Sequence, residues 1–302
     1  MSSPTAPGGA ANESVIHDIG FRHYDGPRLG RGWAFRSLLL ETLRGAFGLG
    51  RPAKVKAMPW LLTGFMVLPA FIMVAVTIFT KSTTLPLSYT NYAAFMWLLS
   101  AMFVAGRAPY AVSRDLRDGV MPLYLSRPIL RRDYVLAKFC GLTIAVFLYL
   151  CAPLVVLLIG ALLAKFPVWH EQWVFLGGLA MAAVLALLLT AISMVLAAVT
   201  RRRGFGVAAI MTTLVLVSGF SNILIAVVGN KSGEAAGSYF AILNPYELVD
   251  GLGFSWLGVA PLVDQVRPDG FVGGTAFTVA LVVIVAGSLG ILMRRFKKEG
   301  GV

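Results

Sequence analysis

Cysteine, histidine and charge are all scarce in this 302-residue chain, and each shortage removes a class of function. Charged residues make up 13% of it, about half of what an average soluble protein carries. The two cysteines, Cys140 and Cys151, fall in one apolar run. They are too few for a disulfide framework and read as reduced packing residues. The three histidines are scattered. His17 next to Asp18 is half a metal site that nothing completes, so no metal is assigned. The first 14 residues, MSSPTAPGGAANES, lack the basic start and apolar stretch of a cleavable signal peptide, which predicts that the first long apolar run directs insertion. A phosphate-binding loop is also missing. Gly229-Asn230-Lys231-Ser232 ends like one, but Asn230 stands where the pattern needs glycine. The chain is therefore expected to have no ATPase of its own. No serine sits in a Gly-x-Ser-x-Gly turn either, so the sequence offers no catalytic residues.

What the chain has in abundance is apolar length, with 58% hydrophobic residues. A bilayer core of about 30 Å takes roughly 20 helical residues to cross. Six stretches qualify, at about 58–80, 89–110, 134–164, 173–199, 205–229 and 271–293. The second is shorter and more polar, and the third could tilt or bend at Pro153. Each backbone group in lipid must be satisfied within its own segment, which predicts an all-α membrane protein with a single six-helix domain over 58–293. Of the 26 Lys and Arg residues, 22 lie before the first stretch, in the second connection with its flanks (Arg107 and Lys138 included), in the fourth connection and in the tail, against four (Lys81, Lys165, Lys231 and Arg267) in the other connections. By the positive-inside rule both termini, 1–32 and 294–302, are expected in the cytoplasm. The acidic residues split eight inside and six outside, so the surplus positive charge lies on the inner face. That distribution suits anionic lipid head groups and requires no nucleic acid.

Two further segments have structure of their own. Residues 33–48 place Phe35, Leu39, Leu43 and Phe47 at i+4 intervals, with Arg36, Ser37, Glu41 and Arg44 mostly off that stripe. This predicts an amphipathic helix too short to span and lying in the inner interface. Packing on another cytoplasmic surface is the alternative. The connection at about 230–270 is long and interleaves aromatics with Gly and Pro. It predicts short helices, partly buried at the outer face, ahead of the last span.

No ionisable residue falls near the middle of any of the six stretches. Ion-coupled carriers keep such groups at mid-membrane to bind the driving ion. A carrier or channel, or a membrane assembly or maturation factor, is accordingly the weaker alternative. The most informative stretch is the second inner connection, SRDLRDGVMPLYLSRPILRRDYVLAK from Ser113 to Lys138. Charges cluster at its two ends around an apolar patch of Val120, Met121, Leu123, Tyr124 and Leu125, bracketed by Gly119 and Pro128. A short helix presenting apolar side chains, stopped by Pro128, is the physical reading. Such a patch bordered by charge points to a partner site, with an ordinary basic inner loop as the alternative.

This stretch resembles the intracellular loop of type-2 ABC exporter permeases, the six-span membrane subunits of ATP-driven exporters. Asp115, Gly119, Leu123, Leu125, Ser126, Pro128, Arg131 and Lys138 stand in that family's register. Asp115 replaces the more usual Glu, and Val120 a frequent Thr. The resemblance implies a permease that forms the translocation pathway in a bacterial plasma membrane. ATP and Mg would be used by a separate ABC ATPase, in two copies, while this chain would pair with a second permease subunit as a homodimer. It also implies a coupling helix. Met121, Leu123, Tyr124 and Leu125 would fill a cleft of the ATPase, and Asp115, Arg117 and Arg127 would set register at its rim. Arg131 and Lys138 would mark where the chain re-enters the membrane. The substrate is unknown at this level.

Overall fold

The computed structural model describes residues 26, 29–82, 84–113, 115, 129–200, 203–260, 262 and 270–299. Among these the chain is all helical. Helix α1 spans Arg31–Ala46, α2 Ala53–Thr80, α3 Tyr89–Phe95, α4 Trp97–Ala111, α5 Arg131–Leu163, α6 Val168–Val199 and α7 Arg203–Ser232. A short α8, Glu234–Ser238, leads through a 3-10 turn at Tyr239–Leu243 to α9, Pro245–Leu257, and α10 is Gly270–Glu299. Five of them, α2, α5, α6, α7 and α10, are long and apolar enough to cross a membrane.

Helices α5 and α6 form the inner pair. α5 also packs against α1 and α2, and α6 against α10 and α4. α2, α7 and α10 are less enclosed and leave wide apolar faces open, with Phe65, Phe71 and Phe79 on α2 and Leu216, Phe220 and Ile223 on α7. In water such faces would be a liability; in lipid they are the solvent-facing surface. α5 runs unbroken through Pro153, so the bend that proline allows does not end the helix. Lys81 and Lys165, the lone basic residues of their connections, both adopt left-handed backbone just past the ends of α2 and α5. Exposed carbonyls at a helix C-terminus favour a cation there.

The second predicted span departs from expectation. It is two helices, α3 and α4, meeting at Met96, and not one continuous span over 89–110. The break is held from outside the segment. The buried Tyr246 of α9 donates its hydroxyl to the Trp97 carbonyl at 3.0 Å and lies 3.0 Å from the Ser100 hydroxyl. Ser100 donates to the same carbonyl at 2.8 Å. Nearby, Pro69 removes the amide that would pair with the Phe65 carbonyl, and the Tyr92 hydroxyl of α3 donates to Met66 O at 2.6 Å. Tyr246→Phe is expected to cost about 1 kcal/mol, because Ser100 still serves the Trp97 carbonyl. The lowered unfolding midpoint in detergent would measure it, and an unchanged midpoint would remove Tyr246 as the support of the break.

Between α7 and α10 the described residues form α8, the 3-10 turn and α9. Asn244 caps α9, its side-chain oxygen accepting from the Tyr246 amide at 3.1 Å, with Pro245 at the first helical position.

Candidate functional site

Among the described residues, charged side chains of α1, Asp115 and the start of α5 meet at one end of the bundle. Helix α1 lies across the start of α5. Its deepest residues are Leu38, Thr42, Gly45 and Ala46, while Phe35, Leu39, Leu43 and Phe47, the predicted apolar stripe, are only half-buried. The periodicity is as expected, but the contact line is rotated toward the small residues. The reason is close approach: Gly141 of α5 sits so near α1 that a Cβ there would lie 2.8 Å from both the Leu39 carbonyl oxygen and the Thr42 Cβ. Phe47 makes the turn toward α2 and α4, with its ring 6.3 Å from Trp60 and 5.8 Å from Phe103.

Two ion-pair arrangements tie this end together. Arg31 of α1 forms a two-pronged contact with Asp133 in the first turn of α5, through Nε to Oδ2 and Nη2 to Oδ1, the latter at 2.6 Å. The carboxylate beside it raises the Arg31 pKa. Asp133 also accepts from the Leu130 amide at 3.3 Å, completing an N-terminal cap.

One turn further along α5, Lys138 is almost fully buried. Its ammonium lies 3.2 Å from Asp115 Oδ2 and 3.3 Å from Glu41 Oε2. The Tyr134 hydroxyl donates to the same Asp115 oxygen. Three segments thus meet on one cation: α1 through Glu41, the start of the inner connection through Asp115, and α5. Just ahead of Asp115, the Ser113 hydroxyl donates to the Ala197 carbonyl near the end of α6 at 2.7 Å. Arg131 reaches the last helix, its Nη1 donating to Lys297 O at 3.4 Å, and the Tyr134 and Phe296 rings are 5.5 Å apart.

Of the predicted coupling residues, Asp115, Arg131 and Lys138 are therefore placed. Arg117, Gly119, Met121, Leu123, Tyr124, Leu125, Ser126, Arg127 and Pro128 lie outside the described residues. Lys138, expected as a membrane-entry residue, pairs with Asp115. Sequence reasoning missed Glu41 and Tyr134 as its company. Glu41 reads as the polar side of an amphipathic helix, and nothing local ties it to a lysine 97 positions away.

A different set of residues meets at the opposite end. The buried Tyr89 at the start of α3 donates to Glu171 Oε2 in the first turn of α6 at 2.8 Å, and Asn91 donates to Ala260 O at 2.9 Å. Beside the α3–α4 break opens a cavity of about 560 Å³. Phe95, Trp97 and Tyr246 form its aromatic wall, Ser218 and Asn222 of α7 and Asn244 its polar one, and Glu247 and Asp250 of α9 also face it. Ser218 donates to Asn244 Oδ1 at 3.2 Å. Such a mix of apolar wall and a few fixed polar groups is what a small-molecule site needs. No cluster of His, Cys, Asp or Glu that could hold a metal occurs among the described residues.

Comparison with known proteins agrees with these features. No curated protein matches the chain. Residues 59–245, more than half of it, match the family described as ABC-2 family transporter protein. That match runs from α2 to the start of α9 and includes the Asp115–Lys138 pair and the broken second stretch. With five membrane-length helices and this match, the chain is a multi-pass membrane protein that belongs to the ABC-2 transporter family, as a membrane-spanning permease.

Proposed function

We propose that the chain is the translocating subunit of an ATP-driven exporter, crossing the membrane six times with both termini in the cytoplasm. The α3–α4 pair serves as the second crossing, interrupted at Met96. The observation that carries the reading is the Lys138 node. Asp115 opens the segment that resembles a coupling helix, and Lys138 fastens it to α5 and, through Glu41, to α1. A push on residues 115–128 from a closing ATPase would be delivered to the base of α5, the most connected helix of the bundle, and so rock the helices around it. Two permease and two ATPase subunits form the working unit, with the open faces of α2 and α7 available to lipid or to the second permease. The cavity beside the break lies on the outward half of the path.

In this arrangement Leu123 and Tyr124 anchor the ATPase. Replacing both with Ala is expected to weaken its co-purification with the full-length permease by roughly thirtyfold, the effect of losing an apolar hot spot of about 2 kcal/mol. An ATPase that stays bound and hydrolyses ATP at the normal rate would sink the coupling assignment.

A further inference from the structure

Helix α1 has two working faces. One is spent on α5. The other, with Trp33, Arg36, Leu40 and Arg44 at helical intervals of three and four, opens on a groove of about 540 Å³ completed by Leu49 and Arg51. Its apolar members are open, with Trp33 57%, Leu40 45% and Leu49 47% exposed. The groove therefore combines three guanidinium groups with an indole and two leucines. Its one carboxylate, Glu41, is engaged by Lys138 and so opposes an incoming anion weakly. The Arg51 guanidinium stacks over the Tyr110 ring at 4.4 Å from its centroid, which orders it without neutralising its charge.

We infer that this groove is a site for an anionic phospholipid of the cytoplasmic leaflet. The phosphate would be held between Arg36, Arg44 and Arg51, and the first carbons of an acyl chain would lie along Trp33, Leu40 and Leu49. Charge and shape favour this occupant. A soluble phosphate has no use for the apolar residues. A zwitterionic lipid gains little from three arginines. An amphiphile with a phosphate head uses both. Glu41 borders the groove and also reaches Lys138, so a bound lipid would brace the node proposed to receive the coupling segment. The inference rests on α1 lying at the inner membrane interface, and the test separates the two.

The full-length protein is reconstituted in nanodiscs containing brominated phosphatidylglycerol or brominated phosphatidylcholine, and the quenching assigned to Trp33 is obtained by difference from Trp33→Phe. Strong quenching by the first and weak quenching by the second is the expected result. Equal quenching by both leaves α1 in the interface and overturns the specific site. Quenching by neither overturns the interfacial placement itself. Affinity for phosphatidylglycerol should fall about fivefold for each arginine changed to Gln among Arg36, Arg44 and Arg51, and roughly a hundredfold for all three. Arg294→Gln, near the end of α10, should leave it within twofold. Inorganic phosphate that competes at millimolar concentration would reassign the groove to free anions and overturn the lipid.

Discussion

Lys138→Met is expected to lower the unfolding midpoint of the detergent-solubilised protein by roughly 5 °C, an effect of about 3 kcal/mol for a chain of this size. The argument turns on which of its two partners matters. The Lys138 side chain is 5% exposed and Asp115 13%, whereas Glu41 is 52% exposed. Glu41 keeps water on one side, and its contribution stays below about 1 kcal/mol. Asp115 does not. Without the ammonium it is left as a buried carboxylate with the Tyr134 hydroxyl as its remaining donor in this node, and removing one partner of a buried pair typically costs about 3–5 kcal/mol. The lower end applies here because that hydroxyl persists. A double-mutant cycle makes the attribution testable. Asp115→Leu in the Lys138→Met background should recover most of the loss, since taking out both charges together leaves no orphan. Glu41→Gln alone should cost little. Strictly additive losses for Asp115 and Lys138 would mean that they do not interact directly. If the proposed coupling role holds, the same substitution should separate ATP hydrolysis from transport in the assembled transporter, because the segment after Asp115 would lose its fastening while the apolar patch proposed to meet the ATPase is untouched.

Much of this architecture is legible in the sequence because membrane helices are written in long runs. The stretches expected at 134–164 and 173–199 are helices Arg131–Leu163 and Val168–Val199. Each begins a few residues early because hydropathy marks the lipid-facing length, while the helix continues into polar turns such as Arg131–Asp133 or the one holding Glu171. The break at Met96 has no such signature. No proline or glycine stands there, and what holds it, the Tyr246 hydroxyl, comes from about 150 residues away. The α1 face was readable in period and not in rotation. Pattern counting weighs large apolar residues most, while the surface that meets α5 is chosen by small ones, Thr42, Gly45 and Ala46, which permit the approach. Asp115 and Lys138 were each visible as members of a spaced pattern. Their pairing, and the recruitment of Glu41, needed three dimensions.

The second large effect is expected at that close approach. Gly141→Val puts two methyl groups where a Cβ alone would already sit 2.8 Å from the Leu39 carbonyl oxygen and from the Thr42 Cβ. One of these obstacles is backbone, so no side-chain rotation relieves the clash. The Thr42 hydroxyl is itself tied to Leu38 O at 2.8 Å, which limits how far that side chain can yield. The remaining way out is for α1 to lift from α5, and it takes Arg31 from Asp133 and Glu41 from Lys138 as it goes. Overpacking of this kind costs about 1–3 kcal/mol, and it falls on one docking event rather than on the whole bundle, so local opening should change more than global stability. At about 2 kcal/mol, hydrogen exchange of the α1 amides and tryptic cleavage after Arg36 and Arg44 should accelerate roughly thirtyfold. The midpoint of global unfolding should shift far less. Gly141→Ala should fall between. Gly287→Val in α10, where no atom lies within 4 Å of the added Cβ, should leave α1 as protected as before. If α1 in Gly141→Val exchanged at the unmutated rate, the register of α1 on α5 would be wrong, and with it the proposed route from Asp115 through Lys138 to α1. If exchange rose as expected, α1 would be established as a lever held by a glycine on one side and open to the groove of Arg36, Arg44 and Arg51 on the other.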